Sequence, residues 1–225
     1  MNNRLEKIAA CIEDGLGFID VGTDHGRLPS VMAHLGYSGN IYASDIGEAP
    51  LASARRTAAH FGVADRISFL LCDGLELCPP EKVDTIVIAG MGGDNICGIL
   101  DRAEWCMDRQ YKLILQPMKK AEVLRYWLVN NGFSIESEML VSDSGMLYQL
   151  FSARFGAVQM LSDAELYAGC YRLIKDDPLF PDMLRIQTGR FQKALSGLLK
   201  TDSPELQAKI SFASGILNEL KEMKS

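Results

Sequence analysis

The chain carries, near its start, the stretch Phe18-Ile-Asp-Val-Gly-Thr-Asp-His-Gly-Arg-Leu28, and the expected fold follows from it. A short apolar run that contains Asp20 breaks at Gly22, and Gly26 precedes a helical pattern that begins near Pro29. A buried strand, a tight glycine turn and a helix are typical of the first unit of a doubly wound sheet. Glycine suits such a turn because φ can be positive and a ligand can approach the backbone closely. The helix that follows presents unpaired N–H groups to an anionic group of a ligand.

The spacing of glycines in this turn narrows the class of ligand. A dinucleotide fingerprint reads Gly-x-Gly-x-x-Gly, whereas this turn has Asp24 in place of the second glycine. A carboxylate there would repel a diphosphate, so NAD and FAD are disfavoured. The spacing Asp20-x-Gly22-x-x-x-Gly26 instead resembles the first motif of S-adenosylmethionine-dependent methyltransferases, whose ligand carries a sulfonium cation. A turn with a purely structural role is the alternative.

Length and composition indicate an ordinary globular protein. The chain has 225 residues, of which 48% are hydrophobic and 23% charged, enough for one domain and an appendage. It has no apolar run of about 20 residues and does not begin like a signal peptide, so we expect a cytoplasmic protein with no membrane association. Six scattered cysteines predict reduced core thiols and no metal site. A net charge of −6 argues mildly against nucleic acid, although a local basic patch could outweigh it.

Apolar runs and helical patterns alternate along the first two thirds of the chain. This alternation predicts an α/β fold, a doubly wound Rossmann-like sheet that ends in an antiparallel hairpin. The predicted strands are residues 18–21, 41–44, 67–72, 83–89 and 113–115, followed by the late pair 137–141 and 146–155. The predicted helices of this part are residues 4–14, 29–34, 49–61, 96–107 and 123–131.

Acidic residues follow the second and third predicted strands. Asp45 lies about 20 residues past the glycine turn, where a carboxylate commonly accepts hydrogen bonds from ribose hydroxyls. The alternative for Asp45 is a helix N-cap. Asp73 precedes Gly74 at the end of the third strand, where a methyltransferase places an acid beside the adenine. A simple Asp-Gly turn is the alternative for that pair.

A second run of glycines, Gly90-Met-Gly-Gly93, follows the fourth predicted strand. Ligands of doubly wound folds bind at the carboxyl ends of the central strands. A structural loop rarely needs three glycines in four positions. We therefore expect this run to form a wall of the active site, where the missing side chains leave room for a flat substrate.

The pattern changes beyond Gly156, where only helical periodicity remains. The predicted helices are residues 162–175, 181–199 and 204–223, with a break at Asp202-Ser-Pro204 and the last two helices as an antiparallel hairpin. Two domains are thus predicted, residues 1–155 and 156–225. The second has nine basic and nine acidic residues, so all the net acidity lies in the first. Three bases of the second domain share one helix face that could meet phosphates or simply face solvent. These are Arg190, Lys193 and Lys200.

Three motifs together resemble those of a known bacterial family, the tRNA adenine-N1 methyltransferases that modify adenosine 22. They are Asp20-Val-Gly-Thr-Asp-His-Gly26, Ile88-Ala-Gly-Met-Gly-Gly93 and Leu113-Ile-Leu-Gln-Pro117. The resemblance covers residues 1 to about 155 and extends to Leu124-Arg-Tyr-Trp-Leu128 and Asn131-Gly-Phe133. It implies methyl transfer from S-adenosylmethionine to tRNA in the cytoplasm, a C-terminal helical hairpin, and no obligate protein partner. Met118 departs from the pattern, because some members carry asparagine there.

Spacing and resemblance together give the candidate binding residues. The candidates for cofactor binding are Asp20, Gly22, Thr23, Gly26, Asp45, Ile46, Asp73, Gly74, Ala89 and Gly90. The candidates for substrate binding are Met91, Gly92, Gly93, Gln116, Pro117, Arg190, Lys193 and Lys200.

The expected reaction indicates which side chains act on the substrate. N1 of adenine has an in-plane lone pair and no proton to lose, so positioning matters more than a strong base. The methylated ring is cationic, and a nearby carboxylate would stabilise it. Asp24 is the candidate for that role, and His25 either orients it, touches the base or makes a structural hydrogen bond.

The identity of the target atom is suggested by the second glycine run. Enzymes that methylate an amino group usually carry Asn/Asp-Pro-Pro-aromatic after the fourth strand, and this chain has Gly90-Met-Gly-Gly93 there. That difference favours a ring nitrogen. N1 lies on the Watson–Crick edge, so the target must be unpaired or flipped out. The alternatives are a methyltransferase for a small metabolite or protein, and a nucleotide-binding regulatory protein without enzymatic activity.

Overall fold

The computed structural model of this protein describes residues 3–200 and 203–223, and within them seven strands form a single sheet. The strands are β1 (Gly17–Val21), β2 (Asn40–Asp45), β3 (Ile67–Leu71), β4 (Thr85–Gly92), β5 (Lys112–Lys119), β6 (Phe133–Asp143) and β7 (Met146–Phe155). Their order is β3-β2-β1-β4-β5-β7-β6, and the first five are parallel. β7 runs antiparallel to both β5 and β6. The predicted fold class is confirmed.

Helices pack on both faces of this sheet. α1 (Asn3–Ala10) precedes β1, and the helices between strands are α2 (Arg27–His34), α3 (Glu48–His60), α4 (Gly93–Asp101) and α5 (Ala121–Asn130). After β7 follow α6 (Asp163–Ala168), α7 (Tyr171–Ile174), α8 (Phe180–Leu198) and α9 (Gln207–Glu222). Within the described residues, none of these helices is long and apolar enough to cross a bilayer.

The central strands are buried on both faces, which explains their continuous apolar sequences. Ile86 and Ile88 of β4 belong to one core cluster, whereas Val87 between them belongs to the cluster on the opposite face. The strand order reverses between β1 and β4, because β2 lies on one side of β1 and β4 on the other. Doubly wound sheets bind ligands at this switch point, outside the carboxyl ends of the strands.

Several predicted boundaries were wrong. The first helix ends at Ala10, not at residue 14, and Gly17 is the first residue of β1. The helix predicted over 96–107 spans Gly93–Asp101, and a short 3₁₀ turn then covers Glu104–Cys106. The helix predicted over 162–175 is divided into α6 and α7 around Gly169, whose φ is +112°. The strand predicted over 137–141 begins earlier, at Phe133.

The second glycine run is part of a strand, not a separate turn. β4 continues through Gly92, and α4 begins at Gly93. Pairing with β5 extends to Gly92 and Lys119, with register shifts between Ala89, Met91 and Gly92. The bulged end of β4 therefore remains paired with β5 at the switch point.

A buried ion pair connects the sheet to the C-terminal helices. Arg125 of α5 pairs with Glu138 of β6, and both side chains are completely buried. Arg125 Nη1 also donates to the Leu166 carbonyl at 2.7 Å, and Glu138 Oε2 accepts from the Cys170 N–H at 2.8 Å. A third core cluster joins Leu140 of β6 to apolar residues of α6, α8 and α9. The domain boundary at 155 stays a prediction, and Asp202, predicted as part of the interhelical break, lies outside the described residues.

Candidate active site

Main-chain hydrogen bonds attach the start of the turn after β1 to the neighbouring strand β2. The N–H groups of Gly22 and Thr23 donate to the Ser44 carbonyl of β2 at 2.8 and 3.0 Å. Gly22 and Gly26 have φ values of +70° and +62°, which side chains with a Cβ rarely adopt. A Cβ on Gly26 would lie 2.7 Å from the Ala54 Cβ, so this glycine allows α2 to approach α3. Its role in the structure is packing of the turn, and it does not line the cavities described next.

Two cavities meet at Gly22. The first, about 340 Å³, is lined by Asp20, Thr23, Asp24, His25, Ala89 and Gly90, among others. The second, about 480 Å³, is lined by Asp45, Ile46, Asp73, Gly74 and Met91, among others. Gly22 lines both cavities, and a Cβ at this position would collide with the Met91 methyl group. The two glycine-bearing segments therefore converge on a single crevice.

Asp20 is the buried acid of the first cavity. Its Oδ2 accepts a 2.6 Å hydrogen bond from the Thr23 hydroxyl. Burial raises the pKa of Asp20 from 3.8 to about 7, the Thr23 hydrogen bond opposes this rise, and the nearby Asp45 carboxylate adds to it. At neutral pH the carboxyl group is therefore balanced between its two protonation states.

Asp24 and His25 lie at the mouth of the first cavity. The Asp24 carboxylate is 67% exposed and lies 3.5 Å from His25 Nε2. His25 Nδ1 and the Ser53 Oγ of α3 are 2.8 Å apart, so both ring nitrogens have a polar neighbour. Asp24 has a φ of +50°, a left-handed conformation that aspartate tolerates better than most residues. This local geometry directs an acidic group toward the crevice opening.

Three acids line the second cavity, and the two that were predicted to bind the cofactor, Asp45 and Asp73, have different surroundings. Asp45 Oδ1 accepts from the Gly47 N–H at 2.9 Å, and Oδ2 accepts from the Asp24 N–H at 3.2 Å. The N-cap of α3 is Gly47, so Asp45 does not cap that helix. Asp73 pairs with Arg102 of the α4 C-terminus at 2.9 Å. Asp45 thus braces the first turn, whereas the charge of Asp73 is largely compensated.

Gln116 lies beneath the surface of the crevice, where it is bonded to two residues that line the first cavity. It is completely buried, and its Oε1 accepts from Arg4 Nη1 at 2.7 Å and from the Gly90 N–H at 3.2 Å. Arg4 also lies over the Tyr148 ring and lines the first cavity. Arg4 was not among the predicted site residues, because one arginine in an amphipathic helix carries no distinctive signal. The structure places Gln116 behind the Gly90 backbone and not on the cavity surface.

The remaining substrate candidates do not all lie together. Gly93 begins α4, and a Cβ there would overlap the Lys120 carbonyl. Gly92 lies against the Lys119 side chain, and Pro117 lines a third cavity. These three candidates therefore shape the end of β4 and its surroundings.

The three basic candidates of the C-terminal region also separate in the structure. Arg190 is paired with Glu122 at 3.1 Å and lies over the Tyr167 ring. Lys193 is exposed on α8, but Lys200 lies beyond the end of that helix, so the prediction of one shared helix face was wrong for Lys200.

The chain is similar in sequence and in fold to known methyltransferases. A family profile described as a methyltransferase domain matches residues 1–151. The tRNA (adenine(22)-N(1))-methyltransferase of Bacillus subtilis (strain 168) is 34% identical over 158 residues, 69% of this chain and 66% of that relative. The match thus spans just under two thirds of that curated protein.

Solved structures extend the similarity over the whole chain. The crystal structure of the B. subtilis m1A22 tRNA methyltransferase has a TM-score of 0.88 and 25% identity, covering 100% of this chain and 99% of that one. A Streptococcus pneumoniae protein provisionally assigned as a tRNA (m1A22) methyltransferase, in complex with S-adenosyl-L-methionine, has a TM-score of 0.80 and 26% identity, with 99% of both chains covered.

The fold and the crevice at the switch point define a Rossmann-like enzyme domain. The profile match over two thirds of the chain is specific for one class of such domains. The chain belongs to the methyltransferase domain family.

The pKa of Asp20 predicts a pH-dependent stability. The pKa of Asp20 is about 7 in the folded protein and near 3.8 in the unfolded chain. Between these pH values the folded state therefore binds more protons than the unfolded state. Stability should therefore fall as pH rises from about 4 to about 7. In Asp20→Asn this contribution is absent, so its free energy of unfolding should decline less over that window. Urea denaturation at several pH values measures the difference.

The Thr23→Val variant is the companion control. It removes the hydrogen bond that opposes the rise in pKa, so the decline should extend to higher pH than in the original protein. Parallel pH profiles for the unchanged protein and Asp20→Asn would show that Asp20 ionises normally.

Proposed function

We propose that this protein transfers the methyl group of S-adenosylmethionine to N1 of adenosine 22 in tRNA. The observation that carries the proposal is the crevice shared by the turn after β1 and the bulged end of β4. Relatives with the same overall fold are named for this reaction, and one is in complex with S-adenosyl-L-methionine. The same site would then bind S-adenosylhomocysteine as product.

The two cavities suit the two ends of the methyl donor. The second cavity would hold the nucleoside, with Asp45 accepting from ribose hydroxyls and Asp73 beside the adenine. Gly22 lies between the cavities, and the absence of a Cβ there would let the sulfonium pass close to the backbone. The first cavity would then hold the amino-acid end and the target base. Its lining includes both a cationic group, Arg4, and a carboxyl group, Asp20, for the zwitterion.

The target base would enter between Asp24 and Gly90. N1 attacks the methyl carbon in line with the departing sulfur, and the electron pair of the C–S bond goes to the sulfur. No proton needs to be removed from N1, so positioning supplies most of the rate enhancement. The ring becomes cationic, and the Asp24 carboxylate at the cavity mouth would stabilise that charge. His25, which lies between Ser53 and Asp24, would hold the carboxylate in place.

The substrate assignment gives the C-terminal region a role. We infer that residues 1–155 carry the catalytic site, that residues 156–225 contact tRNA, and that the enzyme acts in the cytoplasm without an obligate protein partner. Lys193 is exposed on α8, and Arg190 lines the third cavity on the same helix, so both could approach phosphates. The target adenosine would have to leave its stack to reach the crevice.

The direct test is methylation of tRNA that lacks modifications. With labelled S-adenosylmethionine, the protein should incorporate label into a transcript with adenosine at position 22, and nucleoside digestion should give 1-methyladenosine. A transcript with guanosine at that position is the control and should remain unlabelled. N6-methyladenosine as the product would contradict the argument from the missing Asn-Pro-Pro motif. Label in protein or small metabolites, with none in tRNA, would favour the other substrate classes.

The Asp24→Asn variant separates catalysis from donor binding. Asparagine keeps the size of the side chain and tolerates the positive φ, so the fold should be retained. Loss of the negative charge should lower kcat about 10²-fold or more, with unchanged affinity for S-adenosylmethionine. Single-turnover kinetics and isothermal titration measure the two effects. Asp65→Asn, an exposed acid on another loop, is the matched control, and equal activity of both variants would remove Asp24 from the mechanism.

The Gly22→Ala variant tests whether the donor passes between the cavities. Gly22 and Gly62 both have a φ of +70°, but a Cβ at Gly62 has no atom within 4 Å among the described residues. Alanine at either position should lower the free energy of unfolding by about 1 kcal/mol, because a residue with a Cβ is strained at this positive φ. Only Gly22→Ala should lose affinity for S-adenosylmethionine, by 10-fold or more in a titration. Equal affinity in the two variants would contradict the shared crevice.

A further inference from the structure

A third cavity of about 560 Å³ lies beside the candidate active site. It is enclosed by the end of β5, the start of α5, the turn between β6 and β7, and α8. Met118 lines both this cavity and the first one, so the two spaces are neighbours. The cavity is therefore built jointly by the sheet and the C-terminal helices, next to the expected position of the target base.

The lining of this cavity combines apolar and basic groups. Met118, Met146 and Ile186 are 44%, 54% and 45% exposed, so three large apolar side chains are accessible together in one cavity. Three bases and one acid also line it, although the whole chain has a net charge of −6. They are Lys119, Lys120, Arg190 and Glu122. Apolar surfaces bordered by bases match the flat face of a nucleobase and its phosphates.

A buried polar atom points to a ligand with hydrogen-bonding groups. Gln187 of α8 lines the cavity, and within the described residues its Oε1 is buried without a hydrogen-bond partner. Its Nε2 contacts the Met183 sulfur at 3.5 Å, a weak acceptor. An unsatisfied buried amide oxygen costs free energy that a donor from a ligand would recover. An exocyclic amine or ring N–H of a base would provide that donor.

The basic side chains that line the third cavity differ in how far their charges are compensated by carboxylates. Lys120 is paired with Asp94, and Arg190 with Glu122. Lys119 is exposed, and within the described residues no carboxylate lies within ion-pair distance of it. Met118 lines the junction of the first and third cavities, and Lys119, the next residue along β5, lines the third cavity. A phosphate that joins two nucleotides in these cavities would pass this junction.

We propose that the third cavity is a second nucleotide subsite, which holds the base of a nucleotide next to the target adenosine. This inference rests on the proposed function and deepens it, because the neighbouring base would guide an unpaired segment of tRNA into the site. Gln187 reads an edge of that base, Ile186 and Met146 cover its face, and Lys119 contacts the linking phosphate. The subsite selects an unstacked conformation of the RNA and not merely negative charge.

The experiment measures the coupling between Gln187 and the neighbouring bases. Gln187→Ala, Ile186→Ser and the control Gln192→Ala are assayed with tRNA assembled from synthetic halves. One substrate is intact, and two others carry an abasic nucleotide immediately before or after the target. On intact tRNA, Gln187→Ala and Ile186→Ser should each lower kcat/KM about 3- to 10-fold, mainly through KM. Gln192 is exposed on the same helix outside the cavity, so its variant should behave as the unchanged protein.

The abasic substrates decide between the outcomes. If the third cavity holds the neighbouring base, the penalty of Gln187→Ala or Ile186→Ser should disappear on one of the two abasic substrates. Penalties of unchanged size on both abasic substrates, or none on intact tRNA, would overturn the subsite while leaving the methyltransferase activity established. Ile186 is a half-exposed surface residue, so its variant tests the subsite even if Gln187→Ala melts at a lower temperature. Failure of the unchanged protein to methylate any tRNA would overturn the proposed function, and the subsite with it.

Discussion

The close approach of Gly22 to Met91 is the constraint on which the candidate site depends. Gly22 begins the turn after β1 in a left-handed conformation, and Met91 lies in the bulged end of β4. Since β1 and β4 are adjacent parallel strands, their carboxyl ends meet at the switch point of the sheet. A Cβ at Gly22 would displace the flexible end of the Met91 side chain and narrow the passage between the two cavities. The crevice therefore exists because one residue lacks a side chain and the neighbouring strand bulges.

Five aspartates line the two cavities of this crevice, and their surroundings give them different properties. Asp94 is paired with Lys120. Asp73 is paired with Arg102, Asp45 is bound by main-chain N–H groups, and burial raises the pKa of Asp20. Asp24 is largely exposed at the opening. An acidic site of this kind disfavours diphosphates and favours cations, which suits both a sulfonium donor and a methylated, positively charged adenine. The repulsion of a diphosphate that Asp24 predicts is reinforced mainly by Asp45, because Asp73 and Asp94 are paired with basic side chains and Asp20 is partly protonated at neutral pH.

The sequence predicted the parts of the fold that local patterns determine. Continuous apolar strands, glycine turns and acids at strand ends were identifiable because each depends on a few consecutive residues. The continuation of β4 through Gly92 was not, because pairing with β5 decides where that strand ends. Arg4 is likewise brought to the cavity by its contact with Gln116, 112 residues away. The partner of Arg190 is Glu122, on a helix distant in sequence, so a count of charges on one helix face could not reveal it.

The acidity of the whole chain constrains how it could recognise tRNA. Nucleic-acid affinity that rests mainly on phosphate contacts requires an excess of basic residues, but the C-terminal region is balanced and the remainder is acidic. Under the proposed function, recognition would then come from shape and from unpaired bases, which calls for rigid placement of the helices relative to the sheet. The buried Arg125–Glu138 pair serves that need, because it joins α5 and β6 and holds the segments around Leu166 and Cys170 through main-chain bonds. A buried pair adds little net stability, but losing one partner would leave an uncompensated charge, so the arrangement resists displacement.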